Sequence, residues 1–436
     1  MKIEFFIKKR RLIIICLLSE LILISLIYFT SSLLIINFLE LVIFFTIYFL
    51  IGYILGKYEL LLPKNSKSII KFVYKYSSLF IINYSFQLFY FILNNSNNNY
   101  LEIFKYNLIF LTLNFVLHLI LLLILDNKYK DSIWLYLISK ESKIELDEYI
   151  KNYNKINLKK IKLLNINDLY NFYIMDIDGL IIENNYFEED NNLSGIILNI
   201  NKINKVDIIE WSNNFLEFLP INFLNKNYIK SYILRRNMKK IYSYFKRFGD
   251  IFISTLLVMI LLPLMFLVSI LIKIEDGGPI FYSQKRTGYK EKIFNIYKFR
   301  SMKVDAENTG IQWSPRGDSR ITNIGKILRL TRIDELPQLL SVIKGEMSLI
   351  GPRPERPEIN KILFKETNIY KYRYLIKPGL SGWAQVNYNY AASAEESKIK
   401  LGYDMFYLRN SSFLLDILII FKTIKIIFNL KGALPN

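Results

Sequence analysis

Residues 251–272 carry no charge, and Pro263 stands at their middle. At ~1.5 Å per residue a helix over this run is about 33 Å long, enough to cross a bilayer. Its flanks argue against a plain crossing. The approach is basic (KKIYSYFKR, residues 239–247), and Lys285, Arg286, Lys290, Lys292, Lys298 and Arg300 follow the run closely. Basic residues collect on the cytoplasmic side of a membrane, so both flanks belong on one side. Pro263 removes one helical hydrogen bond and bends the helix where it sits. The run therefore reads as a re-entrant helix–break–helix hairpin that dips into one leaflet and returns, with its break at Pro263; an ordinary fifth span is the alternative. The carbonyls freed near Met259 need partners, since unsatisfied backbone groups are costly in lipid.

Four further apolar runs precede this one, at about 12–36, 38–55, 69–93 and 108–125. The first is too long for a cleaved signal and has no small-residue cleavage site after it, so it reads as a helix that stays. Basic residues fall before the first run, between the second and third (Lys57, Lys64, Lys67, Lys71) and after the fourth (Lys128, Lys130). That pattern places the N-terminus and everything beyond residue 126 in the cytoplasm. The expectation is a multi-pass protein of the inner, cytoplasmic membrane with a four-helix transmembrane bundle over residues 1–128.

The formal net charge is +19, which suits nucleic acid, an anionic membrane surface or phosphorylated substrates. The basic residues flank apolar runs instead of forming one stripe, so the bilayer is an expected partner and nucleic acid is not. Cys16 is the only cysteine and His118 the only histidine, both inside apolar runs. Disulfides and Cys-based zinc sites within the chain are excluded, and carboxylates must carry acid–base work in the cytosolic part. His118 reads as a structural residue turned toward neighbouring helices, and Glu20 either faces the bundle or has a function.

Residues 129–235 change character. Segments 133–138, 172–175, 179–182 and 195–198 read as strands, with a helical stretch to about residue 153. This is the pattern of a small Rossmann-like α/β domain. Its first turn, Ser139-Lys140-Glu141-Ser142-Lys143, has no glycine, so the dinucleotide fingerprint is absent and the domain reads as structural or regulatory.

After the basic approach and re-entrant segment (236–275), residues 276–436 read as an α+β cytosolic catalytic domain. Segments 279–282 and 293–297 look like strands around a turn at Thr287-Gly288, and 305–320 like a mobile loop. The adjacent acids Asp334 and Glu335 stand just before Leu336-Pro337, and proline suits the first turn of a helix running to Lys344 and stopping at Gly345. The acids would sit at that helix's N-terminus, where a phosphate and a divalent cation could both be held; mere capping is the plainer alternative. Gly351-Pro352-Arg353-Pro354-Glu355-Arg356-Pro357 is a stiff loop whose arginine forks suit phosphate. Residues 411–430 suit an amphipathic helix in the membrane interface or in a core, since the apolar stripe is the same in both.

Several blocks in this region fall in a recognisable order. They are Gly278-Pro279-Ile280-Phe281 with Gln284-Lys285-Arg286-Thr287-Gly288, then Tyr297-Lys298-Phe299-Arg300-Ser301-Met302, Asp334-Glu335-Leu336-Pro337-Gln338-Leu339, Met347-Ser348-Leu349-Ile350-Gly351-Pro352-Arg353-Pro354, and 377–387 (KPGLSGWAQVN). Over residues 240–430 the chain resembles the bacterial sugar transferases, the monotopic polyprenyl-phosphate hexose-1-phosphate transferases. The resemblance implies transfer of a hexose-1-phosphate from a UDP-sugar to undecaprenyl phosphate with release of UMP. It implies Asp334 as the nucleophile, forming an aspartyl-phosphosugar intermediate, and Asp334 and Glu335 as the acids for Mg²⁺. Substrate binding then falls to Lys298, Arg300, Arg353, Trp383 and Gln385. The family often has Ser before the mid-helix proline; here it is Leu262. The stretch Glu355-Arg356-Pro357-Glu358 resembles exopolysaccharide-type members and points to glucose or galactose. A homodimer through the added spans stays open. The competing reading is an inactive scaffold or regulator of polysaccharide export, against which the intact Asp334, Glu335 and Arg353 argue.

Overall fold

The computed structural model describes residues 16, 18–23, 25, 38–59, 66–93, 100–126, 132–138, 143, 146–147, 149–151, 161–165, 178–183, 205–224, 228–229, 240–304, 306, 318–388 and 394–429. The chain divides into two units, Met1–Leu216 and Glu217–Asn436.

In the first unit three of the apolar runs are helical: α1 (Phe38–Ile54), α2 (Ser66–Leu93) and α3 (Tyr100–Asp126). Of the 12–36 run, the described residues are helical. The helices meet through aromatic side chains. Phe44 lies edge-on to Tyr90, Tyr48 edge-on to Phe110, and Phe72 and Tyr76 pack against Phe115. Five polar residues of this region turn inward. Glu20, Lys57, Asn83, Asn114 and His118 are buried, whereas Ile70, Val73, Ile81, Val116 and Leu123 are exposed. This is the reverse of a water-soluble bundle, which keeps its aliphatic residues inside. Lys57, in a short 3-10 turn after α1, forms an ion pair with Glu20 and donates to Asn114 Oδ1 at 2.8 Å, while Tyr58 donates to the other Glu20 oxygen at 2.8 Å. Glu20 therefore faces the bundle interior. His118 meets the Tyr76 hydroxyl, as a structural role requires.

The rest of this unit holds a four-stranded, all-parallel sheet in the order β2-β1-β3-β4. Its strands are β1 (Ser132–Leu137), β2 (Ile161–Asn165), β3 (Gly179–Ile182) and β4 (Lys205–Asp207). β3 is buried at every position, the continuous apolar pattern of a strand covered on both faces. Helix α4 (Ile208–Phe215), capped by Asp207, sets Trp211 and Phe215 against Trp134 of β1. The expected strands at 172–175 and 195–198 lie outside the described residues. β2 and β4 were not expected; Lys205-Val206-Asp207 is too short and polar to stand out.

The second unit begins, after a 3-10 turn, with α5 (Lys240–Asp276). It is continuous through Pro263, so the expected break is not present as a break in the helix. One proline removes one hydrogen bond, and the leucines on either side are good helix formers. α5 is long and apolar enough to cross a membrane. Both of its flanks nevertheless dock on this one unit. Arg247 donates to the carbonyls of Val342 (2.6 Å) and Ile343 (2.7 Å), and Asp250 accepts from Leu349 N at 3.1 Å. Beyond the proline, Val268 and Ile272 pack with Phe299 and Leu328, and Glu275 accepts from Ile324 N. Between the flanks Met259, Ile260, Leu262 and Phe266 are more than half exposed, at 67%, 63%, 58% and 66%.

An antiparallel hairpin follows, β5 (Phe281–Thr287) and β6 (Ile293–Phe299), longer than the two expected strands. Helix α6 (Asn323–Thr331) leads through left-handed Arg332 (φ 60°) into a 3-10 stretch, Ile333–Gln338, and then α7 (Leu339–Lys344), which stops at Gly345 with φ 91°. The two acids thus lie inside the 3-10 stretch, not ahead of one regular helix. β7 (Ser348–Ile350) pairs in parallel with β8 (Gly379–Ser381). Glycine is required at that junction: a Cβ on Gly379 would lie 2.0 Å from Gly351 N, and one on Gly382 2.1 Å from Gly351 O. Helices α8 (Pro357–Glu366), α9 (Trp383–Asn387), α10 (Ala394–Asn410) and α11 (Phe413–Phe428) complete the unit. α11 buries Leu415, Asp416 and Ile419 and exposes Phe413, Leu414 and Phe428. Of the expected loop at 305–320, residues 305 and 307–317 lie outside the described residues.

The buried Glu20–Lys57 pair yields a stability prediction. Removing one partner from a buried pair strands the other charge, at about 3–5 kcal/mol. Glu20→Gln should lower the thermal midpoint of the detergent-solubilised chain, and Glu20→Gln/Lys57→Met should recover much of it. A double variant no better than the single one would show that the pair is not the source.

Candidate active site

The site is assembled by four segments of the second unit. On β6, Ile296 and Lys298 share one face by the two-residue period of a strand. Ile296 enters the core with Val342 and Met347, which aims Lys298 at the 3-10 stretch. There its ammonium donates to Glu335 Oε1 at 2.9 Å. Arg353, from the proline-rich loop, grips the same carboxylate with both nitrogens, at 2.7 Å to Oε1 and 3.5 Å to Oε2. Arg332 adds a third cation at 3.7 Å, placed there by its left-handed backbone.

The adjacent Asp334 is treated differently. It is 7% exposed, and its Oδ1 is buried with no hydrogen-bond partner. Burial, and then the neighbouring Glu335 charge, push its pKa up to about 6. Burial alone would also raise Glu335, but Arg353, Lys298 and Arg332 outweigh it and hold that carboxyl well below the usual range. Burial lowers the Lys298 pKa despite Glu335. The Glu335 charge keeps Arg353 firmly protonated. Two neighbouring carboxylates are thus divided into a fixed anion and an unpaired, poised one.

The arginine loop is itself held from below. Arg286 donates to Pro354 O at 3.0 Å and to Gln284 at 2.6 Å. Arg373 donates to Arg353 O at 2.7 Å and pairs with Asp404 at 2.9 Å. Thr287 N donates to Glu355 O at 2.9 Å. These groups open onto a cavity of about 920 Å³.

Lys298, Arg300, Asp334, Glu335, Arg353 and Gln385 all line that cavity. Arg300 is tied to Asp276 at the end of α5, and its Nη1 stays buried and unpaired. Gln385 donates to Leu380 O, and its Oε1 is buried without a partner. Trp383 corrects the expectation of a substrate contact. It is 1% exposed, donates to Glu217 O at 2.9 Å and packs on Phe406, so it belongs to the core. Pro263 lies in α5, outside the cavity lining. The reading of the sequence missed Arg332, Arg286, Arg373 and Asp404. Arg286 stands inside a motif block and Arg332 two residues before one, where their charge could have singled them out; Arg373 and Asp404 meet only through the tertiary fold.

Among the described residues no group of three or more His, Cys, Asp or Glu side chains could hold a metal ion. The unpaired Asp334 Oδ1 does fit the mode in which Mg²⁺ takes one or two carboxylates and completes its shell from substrate phosphates. Glu335, as arranged, has both oxygens taken by cations.

Comparison with known proteins agrees with this region. The family model described as bacterial sugar transferase matches residues 241–430. The chain is 43% identical over 215 residues to the UDP-N-acetylgalactosamine-undecaprenyl-phosphate N-acetylgalactosaminephosphotransferase of Aeromonas hydrophila, covering 49% of this chain and 50% of that one. It is 39% identical over 191 residues to the UDP-glucose:undecaprenyl-phosphate glucose-1-phosphate transferase of Xanthomonas campestris pv. campestris, covering 43% and 40%. It is 37% identical over 185 residues to the exopolysaccharide production protein PSS of Rhizobium leguminosarum bv. phaseoli, covering 41% of this chain and 92% of that one. The chain spans half or less of the length of the first two of these relatives.

The raised Asp334 pKa has a consequence for stability. An acid whose folded pKa lies above its unfolded value binds more protons when folded, so stability falls as pH rises from about 4 through about 6 and stays lower above. At 1.36 kcal/mol per unit the cost above that window is on the order of 2–3 kcal/mol. Asp334→Asn should therefore melt higher than the unaltered chain at pH 7.5, with the gap closing near pH 4. An equal gap at both pH values would contradict the assignment.

Proposed function

The chain belongs to the bacterial sugar transferase family, and on that membership we propose that it moves a sugar-1-phosphate from a UDP-sugar to undecaprenyl phosphate. The observation that carries this reading is the unpaired, buried Asp334 beside a Glu335 already held by three cations. The relatives' names give both N-acetylgalactosamine and glucose as the sugar, so the proposed donor is a UDP-hexose in general.

In the first step an Asp334 carboxylate oxygen attacks the sugar-bearing phosphorus of the donor. The bond from that phosphorus to the bridging oxygen breaks, its electron pair stays on the nucleotide phosphate, and UMP leaves. Asp334 then carries the sugar phosphate as an acyl phosphate. In the second step an oxygen of undecaprenyl phosphate attacks the same phosphorus and returns the carboxylate. Splitting one transfer into two through a covalent carboxylate gives ping-pong kinetics. Asp334 is suited to the role because none of its neighbours takes up Oδ1. Lys298, Arg332 and Arg353 surround it with three positive charges against the one negative charge of Glu335. That surplus favours phosphate, and Arg353 offers it a planar fork. Mg²⁺, when bound, supplies further neutralisation of the diphosphate. Asp334 would hold it, with Glu335 once its cations turn to substrate.

The membrane placement belongs to the same proposal. The first unit's buried polar and exposed aliphatic residues support helices whose solvent is lipid, in a multi-pass protein of the cytoplasmic membrane. The docking of both α5 flanks on one unit supports a segment that enters the inner leaflet and returns. The site would then lie on the cytoplasmic face, within reach of a lipid phosphate at headgroup depth. A role in exopolysaccharide, capsule or O-antigen assembly is the expected setting.

The chemical test is UMP release from a panel of UDP-sugars by the full chain in bilayer nanodiscs containing undecaprenyl phosphate. Release is expected with at least one donor, with an acid limb near pH 6, the Asp334 value. Asp334→Asn should lower the rate by about 1,000-fold or more, the scale on which single nucleophiles act. Wild-type rates in that variant would remove Asp334 from the role.

A topological test is separate. In a Cys16→Ser background, single cysteines at Lys240 and Lys285 should both be labelled by an impermeant maleimide only in inside-out vesicles. Labelling of the two from opposite sides would replace the returning segment with a crossing one.

A further inference from the structure

We infer that Lys400, on the α10 wall of the cavity, binds the nucleotide phosphate that departs in the first step. The inference rests on the transfer reaction proposed above and adds a residue to it that none of the sequence motifs contains.

Helix α10 presents Ser397, Lys400, Leu401 and Asp404 to the cavity, positions three and four apart that share one helix face. The lining also includes Pro279, Phe281, Phe299 and Arg300. Phe299 packs on Val268 and Ile272, and Arg300 on Asp276, so these residues border α5. A substrate anchored in lipid enters from the α5 side. Lys400 belongs to none of these α5 contacts, and we assign it to the soluble nucleotide.

Six other cations of the cavity are paired. Lys298, Arg332 and Arg353 share Glu335. Arg300 is paired with Asp276, Arg286 with Glu355 and Arg373 with Asp404. Lys400 is a mostly buried cation with no ion pair or hydrogen bond among the described residues, although the Glu355 and Asp404 charges act on it. Both of those acids already answer Arg373. Burial lowers the Lys400 pKa, and an anion brought beside it opposes that shift by attracting the ammonium.

The reaction supplies such an anion. A diphosphate donor with its sugar-bearing phosphorus at Asp334 must place the other phosphate next to it, and cleavage of the bridging bond adds a negative charge there. An ammonium with no other commitment binds that phosphate more tightly as the bond breaks, which is stabilisation of the transition state and not of the bound donor alone.

The test compares the unaltered chain with Lys400→Met and Lys400→Arg in nanodiscs, measuring inhibition by UMP and the two half-reactions separately. One charge-assisted hydrogen bond is worth about 10- to 100-fold. Lys400→Met should raise the inhibition constant for UMP, and slow formation of the covalent adduct, by that factor. Reaction of preformed adduct with undecaprenyl phosphate should keep its rate, and Lys400→Arg should recover part of the loss. Inorganic phosphate, tested alongside, should inhibit far more weakly than UMP and respond less to the substitution, since the site is built for a phosphate carried on a nucleoside. Unchanged UMP inhibition in Lys400→Met would overturn the inference, and so would a loss confined to the lipid half-reaction. If Lys400→Met fails to fold, Lys400→Gln gives the same readings. Absence of UMP release by the unaltered chain with any donor would instead remove the transfer reaction itself, so the two failures are distinguishable.

Discussion

The anion at Glu335 is what the catalytic unit is arranged around. Three cations from β6, from the left-handed turn and from the proline-rich loop converge on one carboxylate. Bringing that many charges out of water is costly unless each is paired, and Glu335 supplies the pairing. Because Glu335 absorbs the cations, Asp334 one residue away is buried without a partner. Adjacent residues on a 3-10 stretch point in different directions, and this geometry lets a sequence dyad become two unlike groups. A regular helix starting at Pro337 would have left both acids as exposed caps.

The arginine loop shows how such a site is kept in place without a large core. Its own backbone cannot hydrogen-bond through prolines 352, 354 and 357. Its carbonyls are taken instead by buried arginines: Arg373 on Arg353 O and Arg286 on Pro354 O. The far anchor is the glycine contact between Gly351 and Gly379, where no side chain fits. Two motif blocks separated by more than twenty residues in sequence are thus one junction in space. Arg286 and Arg373 therefore fix the position of Arg353 as well as lining the cavity themselves.

What the sequence disclosed, and what it withheld, follows the range of the physics involved. The Gly345 stop, the turn near Thr287 and the apolar helices are local, written by backbone preference and hydrophobic runs. Asp334, Glu335, Lys298 and Arg353 were legible because adjacent acids and basic loops stand out, and the cavity lining includes all of them. Trp383 was misread, since an indole in a glycine-rich motif looks the same whether it meets a substrate or Phe406. Arg373 and Asp404 stood outside every motif, and their ion pair exists only after α10 has folded over the loop. The pairing of Glu20 with Lys57 is of the same kind: each charge was visible alone, and only packing shows that they neutralise one another.

Pro263 poses the remaining question of physics. A proline in the middle of an apolar helix is usually taken as a break, yet α5 continues through it. Its effect need not be a break. The exposed middle of the helix is wholly aliphatic and aromatic, and both flanks are fixed to the catalytic unit by Arg247, Asp250, Val268 and Ile272. A lost hydrogen bond at Pro263 lowers the cost of bending at that point, so that the flank contacts, not the proline, set the final angle. On this view Leu262 can replace a polar residue because the flanks supply the restraint. In the proposed placement the helix acts as a buoy for the site, holding Asp334 at a fixed depth.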